Sequence, residues 1–587
     1  MKVSAFILIC FLAACLAIGQ GSEPENARRD VFLITIDTLR SDHVHCYGYE
    51  QIETPALDQL AKQGIRFMQA FTPSPITNTS HTSILTGLLP ISHGVSDFGV
   101  PLKSDYPTLA ELQKKQGYLT AAFIGSVILD SKRLAPGLDR GFDFYDNFPE
   151  KSQAKLRWGR IERRGMDVVQ RAEKWLDEHQ APPRLVWIHL YDPHDPYEPP
   201  FPYAEIYKGR LYDGEIAYTD SALGHFLAFL QKRGWYDSAL IFVVGDHGEG
   251  LGEHHEDTHG IFLYDSTTHV PLILKLPNGR EAGRVVDEQV RTTDIMPTIL
   301  ELVGISTPAS LDGVSLMPLV LGAKSASRPA FGETDYPQRF GWAPLRSVRQ
   351  DGFKLIEAPR PEFYDLHSDA EELRNHYVPW DATVQTLLET LAELTAKSQS
   401  GAKSSPSSVS SGTIDELHAL GYLGAEDAQS STNVPKPSLL PDPKDKIEEQ
   451  NLMHIATMAS EDGQWAKARV ALEKVLHLDD KSLAARLLLG HVYLNSNNAR
   501  AAEDQFEAAV LLQPGNMEAQ FGMAKALLRE KKFADAVDLL EETTKSGTKD
   551  PEAFELLAQA YTGLGKPVLA KRAAGQANSI RGTRPQQ

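Results

Sequence analysis

Three groups of polar residues in the first half of the chain are of types that bind metals and transfer protons. Asp37 follows the apolar run VFLITI, His194 lies in YDPHD after RLVWIHL, and Asp246 and His247 follow IFVVG. Carboxylate oxygens and imidazole nitrogens form a donor set that suits one divalent cation, such as Mn, Ca, Mg or Zn. One such Asp alone is often a helix cap, but the groups together favour a metal or catalytic site.

A fourth segment, PITNTSHTSILTG, supplies hydroxyl groups. Thr77 lies just ahead of a helix predicted over roughly 80–85, for which Thr79 or Ser80 is the expected N-cap. A hydroxyl there is near the positive end of the helix dipole and near free backbone amides, which stabilise an oxyanion. Because metal coordination lowers the pKa of a hydroxyl, Thr77 is a candidate nucleophile. The alternative is that this cluster only caps the helix.

The apolar runs that precede these polar groups define the elements that must position them. Continuous runs of this kind predict strands buried on both faces of an α/β sheet. In such sheets ligands bind at the carboxyl ends of the strands. The sequence therefore predicts that the polar groups meet at one sheet edge.

Composition narrows the classes of function. The 587 residues include 59 Lys and Arg against 78 Asp and Glu, a net charge of −19. The length predicts about two to four domains, and the acidic balance argues against a nucleic-acid partner. The three cysteines, Cys10, Cys15 and Cys46, exclude a disulfide scaffold and a cysteine-built zinc site.

The first residues predict export. Lys2 is followed by an apolar run over 3–19, so residues 1–20 are interpreted as a signal peptide or a lipoprotein signal. LAAC, ending at Cys15, resembles a bacterial lipoprotein box. Plain cleavage near Gly19 and an uncleaved anchor remain as alternatives. All three interpretations of the N-terminus place the rest of the chain outside the cytoplasm, as a periplasmic, lipid-anchored or extracellular protein. Membrane contact is expected only through such an N-terminal anchor, lipidated at Cys15 in the first case.

The C-terminal region repeats every 34 residues and resembles the tetratricopeptide repeat. We therefore predict an all-α solenoid over 447–580, whose surface binds a protein or peptide partner. Residues 396–446 are Ser- and Pro-rich and predict a linker, in which the amphipathic piece DELHALGYLG could dock on a neighbouring domain. The repeated positions include Ala468, Ala502, Ala536 and Ala570, and also Leu472, Phe506 and Leu540. The predicted helix pairs lie near 449–477, 483–511 and 517–545, with a capping pair near 552–578.

Four motifs together resemble the sulfatase-like branch of the alkaline phosphatase superfamily. They are IDTLRSDHVHCYGY at 36–49, TNTSHTSILTG at 77–87, YDPHDPYEPP at 191–200 and GDHGEGLGEH at 245–254. The resemblance implies a mixed, mostly parallel sheet sandwiched by helices in a catalytic domain over 30–325. It also implies a small α+β subdomain over 326–395.

The resemblance assigns a role to each site residue. Asp37, Thr77, Asp246 and His247 match the family's metal ligands, and Thr77 also matches the nucleophile. His194 matches a histidine that contacts the substrate oxyanion, and His259 falls near a substrate-binding Lys or His. Arg40 is either a substrate-binding residue or part of a structural ion pair. One metal is predicted; a second would use Asp192, His194 and His259.

One departure from the family bears on the reaction. Established sulfatases carry C-x-P-S-R, whose Cys or Ser becomes formylglycine, whereas this chain has Thr77-Asn78-Thr79-Ser80-His81. Oxidation at the β-carbon of threonine gives a ketone, so formylglycine cannot form. We therefore predict an exported, metal-dependent hydrolase of an anionic phospho- or sulfo-ester with a Thr nucleophile. A phosphoglycerol- or phosphoethanolamine-type transferase is one alternative, and a catalytically inert repeat scaffold is another.

Overall fold

The computed structural model describes residues 28–149, 160–324, 327–398, 437–545, 547–548 and 550–583. The predicted leader at 1–20 with Cys15, and the amphipathic piece at 415–424, lie outside these residues. Within the described part of the chain, no helix has both the length and the apolar composition needed to cross a membrane.

The larger sheet of the described residues has eight strands in the order β4-β3-β5-β1-β6-β7-β2-β8. Strand β7 runs antiparallel to both neighbours, and the other pairings are parallel. The predicted mixed, mostly parallel sheet is therefore confirmed. Its strands are β1 Val31–Ile36, β2 Ile65–Phe71, β3 Leu119–Phe123, β4 Phe144–Asp146, β5 Arg184–Leu190, β6 Leu240–Gly245, β7 His269–Lys275 and β8 Arg284–Arg291.

The central strands are buried on both faces, as their continuous apolar sequences predict. Every residue of β1, β5 and β6 is buried. Alternate side chains of β1 enter two different cores: Val31 and Leu33 enter one, and Phe32 and Ile34 enter the other. Helices cover both faces of the sheet because each face is apolar.

Eleven α-helices lie among the described residues up to Ser398. They are α1 Pro55–Gln63, α2 Thr77–Thr86, α3 Pro90–His93, α4 Leu109–Lys115, α5 Gly165–Glu178, α6 Tyr203–Ile206, α7 Leu211–Lys232, α8 Asp265–Thr268, α9 Ile295–Leu302, α10 Met317–Val320 and α11 Ala382–Ser398.

A smaller antiparallel sheet follows, in the order β12-β11-β10-β9. Its strands are β9 Ala330–Thr334, β10 Leu345–Gln350, β11 Phe353–Glu357 and β12 Glu362–Asp365. Helix α11 packs on this sheet, with Val384 and Leu387 against Val348 and Leu355. This is the predicted α+β subdomain. Its last helix extends to Ser398, slightly past the predicted start of the linker at 396.

The C-terminal region is all-helical, with four helix pairs among its described residues. Phe506 is fully buried, and its ring leaves no room for a side chain at Gly490 or Gly522. Gly490 recurs as Ala524 and Ala558 at intervals of 34 residues, so the period marks a position where small residues let helices approach closely. The helices are α12 Ile447–Glu461, α13 Trp465–Leu478, α14 Leu483–Asn495, α15 Ala499–Leu512, α16 Met517–Arg529, α17 Phe533–Lys545, α18 Pro551–Gly563 and α19 Pro567–Thr583.

Candidate functional site

Two carboxylates meet at the carboxyl ends of β1 and β6. These strands are parallel neighbours with Ile36 opposite Gly245, so Asp37 and Asp246 emerge side by side. Both residues are fully buried, and among the described residues Asp37 Oδ1 and Asp246 Oδ2 have no hydrogen-bond partner. Burial raises the pKa of Asp37, and burial followed by the charge of Asp37 raises the pKa of Asp246 well above its ordinary value. Two unsatisfied buried carboxylate oxygens are what a cation would neutralise.

His247 completes this group with a nitrogen donor. Its Nδ1 donates to the carbonyl oxygen of Gly248 over 2.9 Å, so Nε2 keeps its lone pair. Nε2 lies 3.5 Å from Asp37 Oδ1 and 3.6 Å from Asp246 Oδ2. Burial lowers the pKa of His247 well below its ordinary value, which keeps the ring neutral. The three donors lie within 4.8 Å of one another and fit one divalent ion.

Thr77 joins the group from helix α2. The predicted helix start near 80 was wrong: α2 begins at Thr77, after the extended residue Ile76, and no side chain caps it. Ser80 Oγ instead donates to the carbonyl oxygen of Asp246 over 2.7 Å. The Ser80 hydroxyl, which its sequence position predicted to be a helix cap, therefore binds a residue distant in sequence instead. Thr77 Oγ1 lies 3.1 Å from His247 Nε2.

Two buried histidines that the sequence interpretation did not single out hold the site in place. His81 Nδ1 lies 2.7 Å from the carbonyl oxygen of Thr77, and its Nε2 lies 2.9 Å from Thr35 Oγ1. Trp187 Nε1 donates to the same Thr35 hydroxyl over 3.0 Å. The chain Trp187–Thr35–His81 therefore fixes the first turn of α2. The available signal was that His81 takes the place of the arginine in C-x-P-S-R.

His189 orients the first carboxylate. The backbone N–H of Gly125 donates to His189 Nδ1 over 3.3 Å, which leaves the ring proton on Nε2, 3.2 Å from Asp37 Oδ2. His81, His189 and Asp246 also lie close enough together to suggest a second metal group. Because both nitrogens of each histidine already have protein partners, we interpret this group as the support of the first.

His194 and His259 face one another beside the carboxylates, with ring centroids 5.1 Å apart. His194 Nδ1 donates to the carbonyl oxygen of Asp195 over 2.5 Å, and burial lowers the pKa of His194 to about 4. His259 Nδ1 lies 2.8 Å from Glu249 Oε1. Burial opposes the charged form of His259, but Glu249 outweighs it, and the pKa of His259 is raised. Glu249 is the last residue of the motif DHGE at 246–249, but its pairing with His259 was not predicted from the sequence.

Arg40 and Asp192 have structural partners. The guanidinium of Arg40 contacts both carboxylate oxygens of Asp42 at 2.9 and 2.8 Å, and Glu253 at 2.9 Å. Of its two predicted roles, the contacts support the ion pair. Asp192 accepts from the backbone N–H of Gly165 over 2.7 Å and pairs with Arg164 at 3.0 Å.

Family models match both the catalytic part of the chain and its repeats. The family model described as Sulfatase matches residues 29–305, and the model for the C-terminal region of N-sulphoglucosamine sulphohydrolase matches residues 252–399. Tetratricopeptide repeat models match residues 459–514, 487–551 and 521–577.

Individual relatives cover about three fifths of the chain. An arylsulfatase of Clostridium perfringens is 26% identical over 59% of this chain and 89% of its own length. A multifunctional alkaline phosphatase superfamily protein, PehA, of Trinickia caryophylli is 24% identical over 59% of this chain and 91% of its own length. The solved structure of a phosphonate monoester hydrolase of Agrobacterium radiobacter shares the fold, with a TM-score of 0.55 and 23% identity over 63% of this chain and 96% of that one. The chain therefore contains a domain over residues 29–305 that matches the Sulfatase family model, followed by C-terminal tetratricopeptide repeats, and its relatives support a sulfatase-like ester hydrolase.

Proposed function

We propose that the protein is an exported, metal-dependent hydrolase that cleaves anionic esters, preferably of phosphorus, through Thr77. The observation that carries this proposal is the position of Thr77 Oγ1. It lies at the start of α2, 3.1 Å from His247 Nε2, beside the carboxylates of Asp37 and Asp246. A hydroxyl so placed serves as a nucleophile rather than as a helix cap.

One divalent ion would be held by Asp37 Oδ1, Asp246 Oδ2, His247 Nε2 and Thr77 Oγ1. When bound, it supplies Lewis acidity and lowers the pKa of the Thr77 hydroxyl. We propose one ion rather than two, because Asp192, a candidate ligand for a second, is engaged by Arg164 and Gly165.

The protein residues divide the first step between them. Thr77 Oγ1 gives up its proton to solvent and attacks phosphorus, the bond from phosphorus to the leaving oxygen breaks, and a phosphothreonine forms. His259, kept protonated by Glu249, gives its proton to the leaving oxygen. The backbone amides in the first turn of α2 stabilise the charge on the transferred group.

Neutral His194 suits the second step. Because Nδ1 holds the ring proton, Nε2 is an acceptor, and it takes a proton from the attacking water. Water attack on phosphorus releases the Thr77 oxygen and gives a hydrolase. An acceptor alcohol in place of water would make the same site a phosphoglycerol- or phosphoethanolamine-type transferase.

The preference for phosphorus follows from residue 77. Threonine cannot form the aldehyde hydrate that formylglycine sulfatases use, so that route to sulfate release is closed to this chain. A covalent phosphothreonine opened by water needs no such hydrate. The relatives include a protein named multifunctional, which is consistent with a site of this architecture accepting more than one ester.

A panel of substrates and variants tests the proposal. The substrates are 4-nitrophenyl sulfate, phosphate, phenylphosphonate and a phosphodiester, each with Mn, Ca, Mg or Zn in turn. Thr77→Ala is expected to lower kcat by at least about 10³-fold, because the attacking atom is gone. The matched control is Thr82→Ala, which removes a buried hydroxyl of the same helix that donates to the Asn78 carbonyl. Wild-type turnover by Thr77→Ala would overturn the nucleophile, and fastest turnover of the sulfate would overturn the preference for phosphorus.

Two further parts of the proposal concern location and partners. The leader over 1–20 supports export, with Cys15 as a lipid anchor, and fractionation of cells expressing the wild type and Cys15→Ala tests both. The tetratricopeptide repeats support binding of a protein or peptide partner.

A further inference from the structure

The first repeat is attached to the small α+β subdomain by the ten residues before it. The backbone N–H of Ala343 donates to the carbonyl oxygen of Pro441 over 2.9 Å, and that of Arg360 donates to Asp442 Oδ2 over 3.0 Å. Lys444 Nζ lies 2.7 Å from Glu362 Oε1. These contacts bring the start of α12 onto the α+β subdomain.

Apolar contacts extend this attachment into α12 itself. Ile447, the first residue of α12, is buried within the same core as β1. In the other direction, Phe340 of the small α+β subdomain packs against the apolar core of the first helix pair. Phe340 also stacks on Trp342, with ring centroids 4.5 Å apart. The first repeat therefore forms an apolar interface with the catalytic part of the chain.

Polar residues of α12 then reach the loops that carry the candidate catalytic histidines. His454 Nε2 lies 2.8 Å from Asp195 Oδ2. Asn451 Nδ2 donates to the carbonyl oxygen of His255 over 2.8 Å, and the backbone N–H of Asp257 lies 3.4 Å from Asn451 Oδ1. Residues three apart share one face of a helix, so Asn451 and His454 form a single contact with both loops.

The contact of His454 continues to the site. The carbonyl oxygen of Asp195 accepts from His194 Nδ1 over 2.5 Å, and its carboxylate contacts His454. Asp195 therefore connects α12 to the imidazole that the proposed function uses as a base. The second loop leads from the contacts of Asn451 to His259, which follows Asp257 by two residues.

We infer that the first repeat helix is part of the active site, and that His454 is a positioning residue for His194. This inference rests on the proposed function, since it concerns the placement of His194 in that reaction. His454 holds Asp195, whose carbonyl oxygen fixes the tautomer and the plane of the His194 ring.

Substitutions in the full-length protein test the inference. His454→Leu removes the donor to Asp195 and is expected to lower kcat by about 10-fold or more, because the base is no longer held in place. His454→Gln keeps an N–H donor and is expected to restore kcat to within about threefold of wild type, since the contact is retained. The matched control is His491→Leu, which breaks a His–carboxylate pair with Glu518 at 2.9 Å within the repeats. Its kcat is expected to equal that of wild type.

A double-mutant cycle with Asp195→Ala separates positioning from a general loss of structure. Asp195→Ala removes the carboxylate but keeps the carbonyl oxygen that receives the His194 proton. The double variant with His454→Leu is expected to be no slower than the slower single variant, because both break one contact. Independent multiplication of the two losses would overturn the inference, as would wild-type kcat in His454→Leu. If Thr77→Ala remains active, the proposed function fails first; if it is inactive and His454→Leu is normal, only this inference fails.

Discussion

At the scale of single residues, His194 and His259 differ in protonation because they have different hydrogen-bond partners. The Nδ1 of His259 pairs with the carboxylate of Glu249, which favours the charged ring. The Nδ1 of His194 pairs with the carbonyl oxygen of Asp195, and burial favours its neutral ring. This difference assigns proton donation to His259 and proton acceptance to His194. Neither partner was assigned from the sequence motifs.

Replacement of Glu249 tests that assignment. Glu249→Gln removes the charge that keeps His259 protonated, so esters with alkyl leaving groups should lose about 10²-fold in kcat/KM. Esters of 4-nitrophenol need little protonation of the leaving oxygen and should change by less than about threefold. The measurement is the slope of log kcat/KM against leaving-group pKa.

The control for that series is another carboxylate of the same segment. Glu253→Gln removes a partner of Arg40, a residue outside the proposed proton path. It is expected to leave the slope unchanged. An equal slope for wild type and Glu249→Gln would contradict the role of His259 as the acid.

At the scale of elements, helix α1 depends on a buried carboxyl of α7. Asp220 accepts from the backbone N–H groups of Ala56 and Leu57 at 2.9 and 2.8 Å, in the first turn of α1. Burial raises the pKa of Asp220 to about 7. The folded state therefore holds this proton over a range of pH in which the unfolded chain, with an ordinary Asp pKa near about 4, has lost it.

The predicted consequence is a pH-dependent stability that Asp220→Asn abolishes. Between pH 5 and 7 the folded state binds more protons than the unfolded state, so the free energy of unfolding falls as pH rises. Relative to Asp220→Asn, wild type should lose about 1.4 kcal/mol per pH unit in this window and level off above pH 7. Urea unfolding from pH 5 to 8 measures the difference, with exposed Asp287→Asn as control. A constant difference across the window would contradict the prediction.

Elements were predicted well where their signal was local. The runs before Asp37 and Asp246 gave buried strands, and the 34-residue period gave the helix pairs. The start of α2 was not predicted, because Ser80 and Thr79 have high cap propensity in isolation. In the folded chain, Ser80 bonds to the Asp246 carbonyl, 166 positions away.

At the scale of the whole molecule, the proposed metal ion couples the site to stability. Asp37 and Asp246 leave buried oxygens without protein partners among the described residues, and the pKa of each is raised. Chelation should therefore lower Tm as well as activity, and returning the ion should restore both. At 100 times Kd, the ion contributes about 2.7 kcal/mol to the free energy of unfolding.

Asp246→Asn is the matched variant for that experiment. It removes one ligand and also the repulsion between two carboxylates, so its Tm should depend little on the ion. Without the ion it should be at least as stable as chelated wild type. Differential scanning fluorimetry with and without chelator measures this, and a wild-type Tm that chelation leaves unchanged would contradict the metal site.

The sequence by itself determined the classes of element, the repeat period and the residue types of the site. Short-range patterns were enough for the three residues that follow predictable strands, which are Asp37, Asp246 and His247. They also predicted a helix just after Thr77, although not that Thr77 is its first residue. The tertiary structure decided which other side chains contact and orient these residues. His81, His189 and Glu249 act through contacts that no local spacing specifies. The attachment of α12 beside Asp195 is decided in the same way, because His454 reaches that loop across 259 positions of chain.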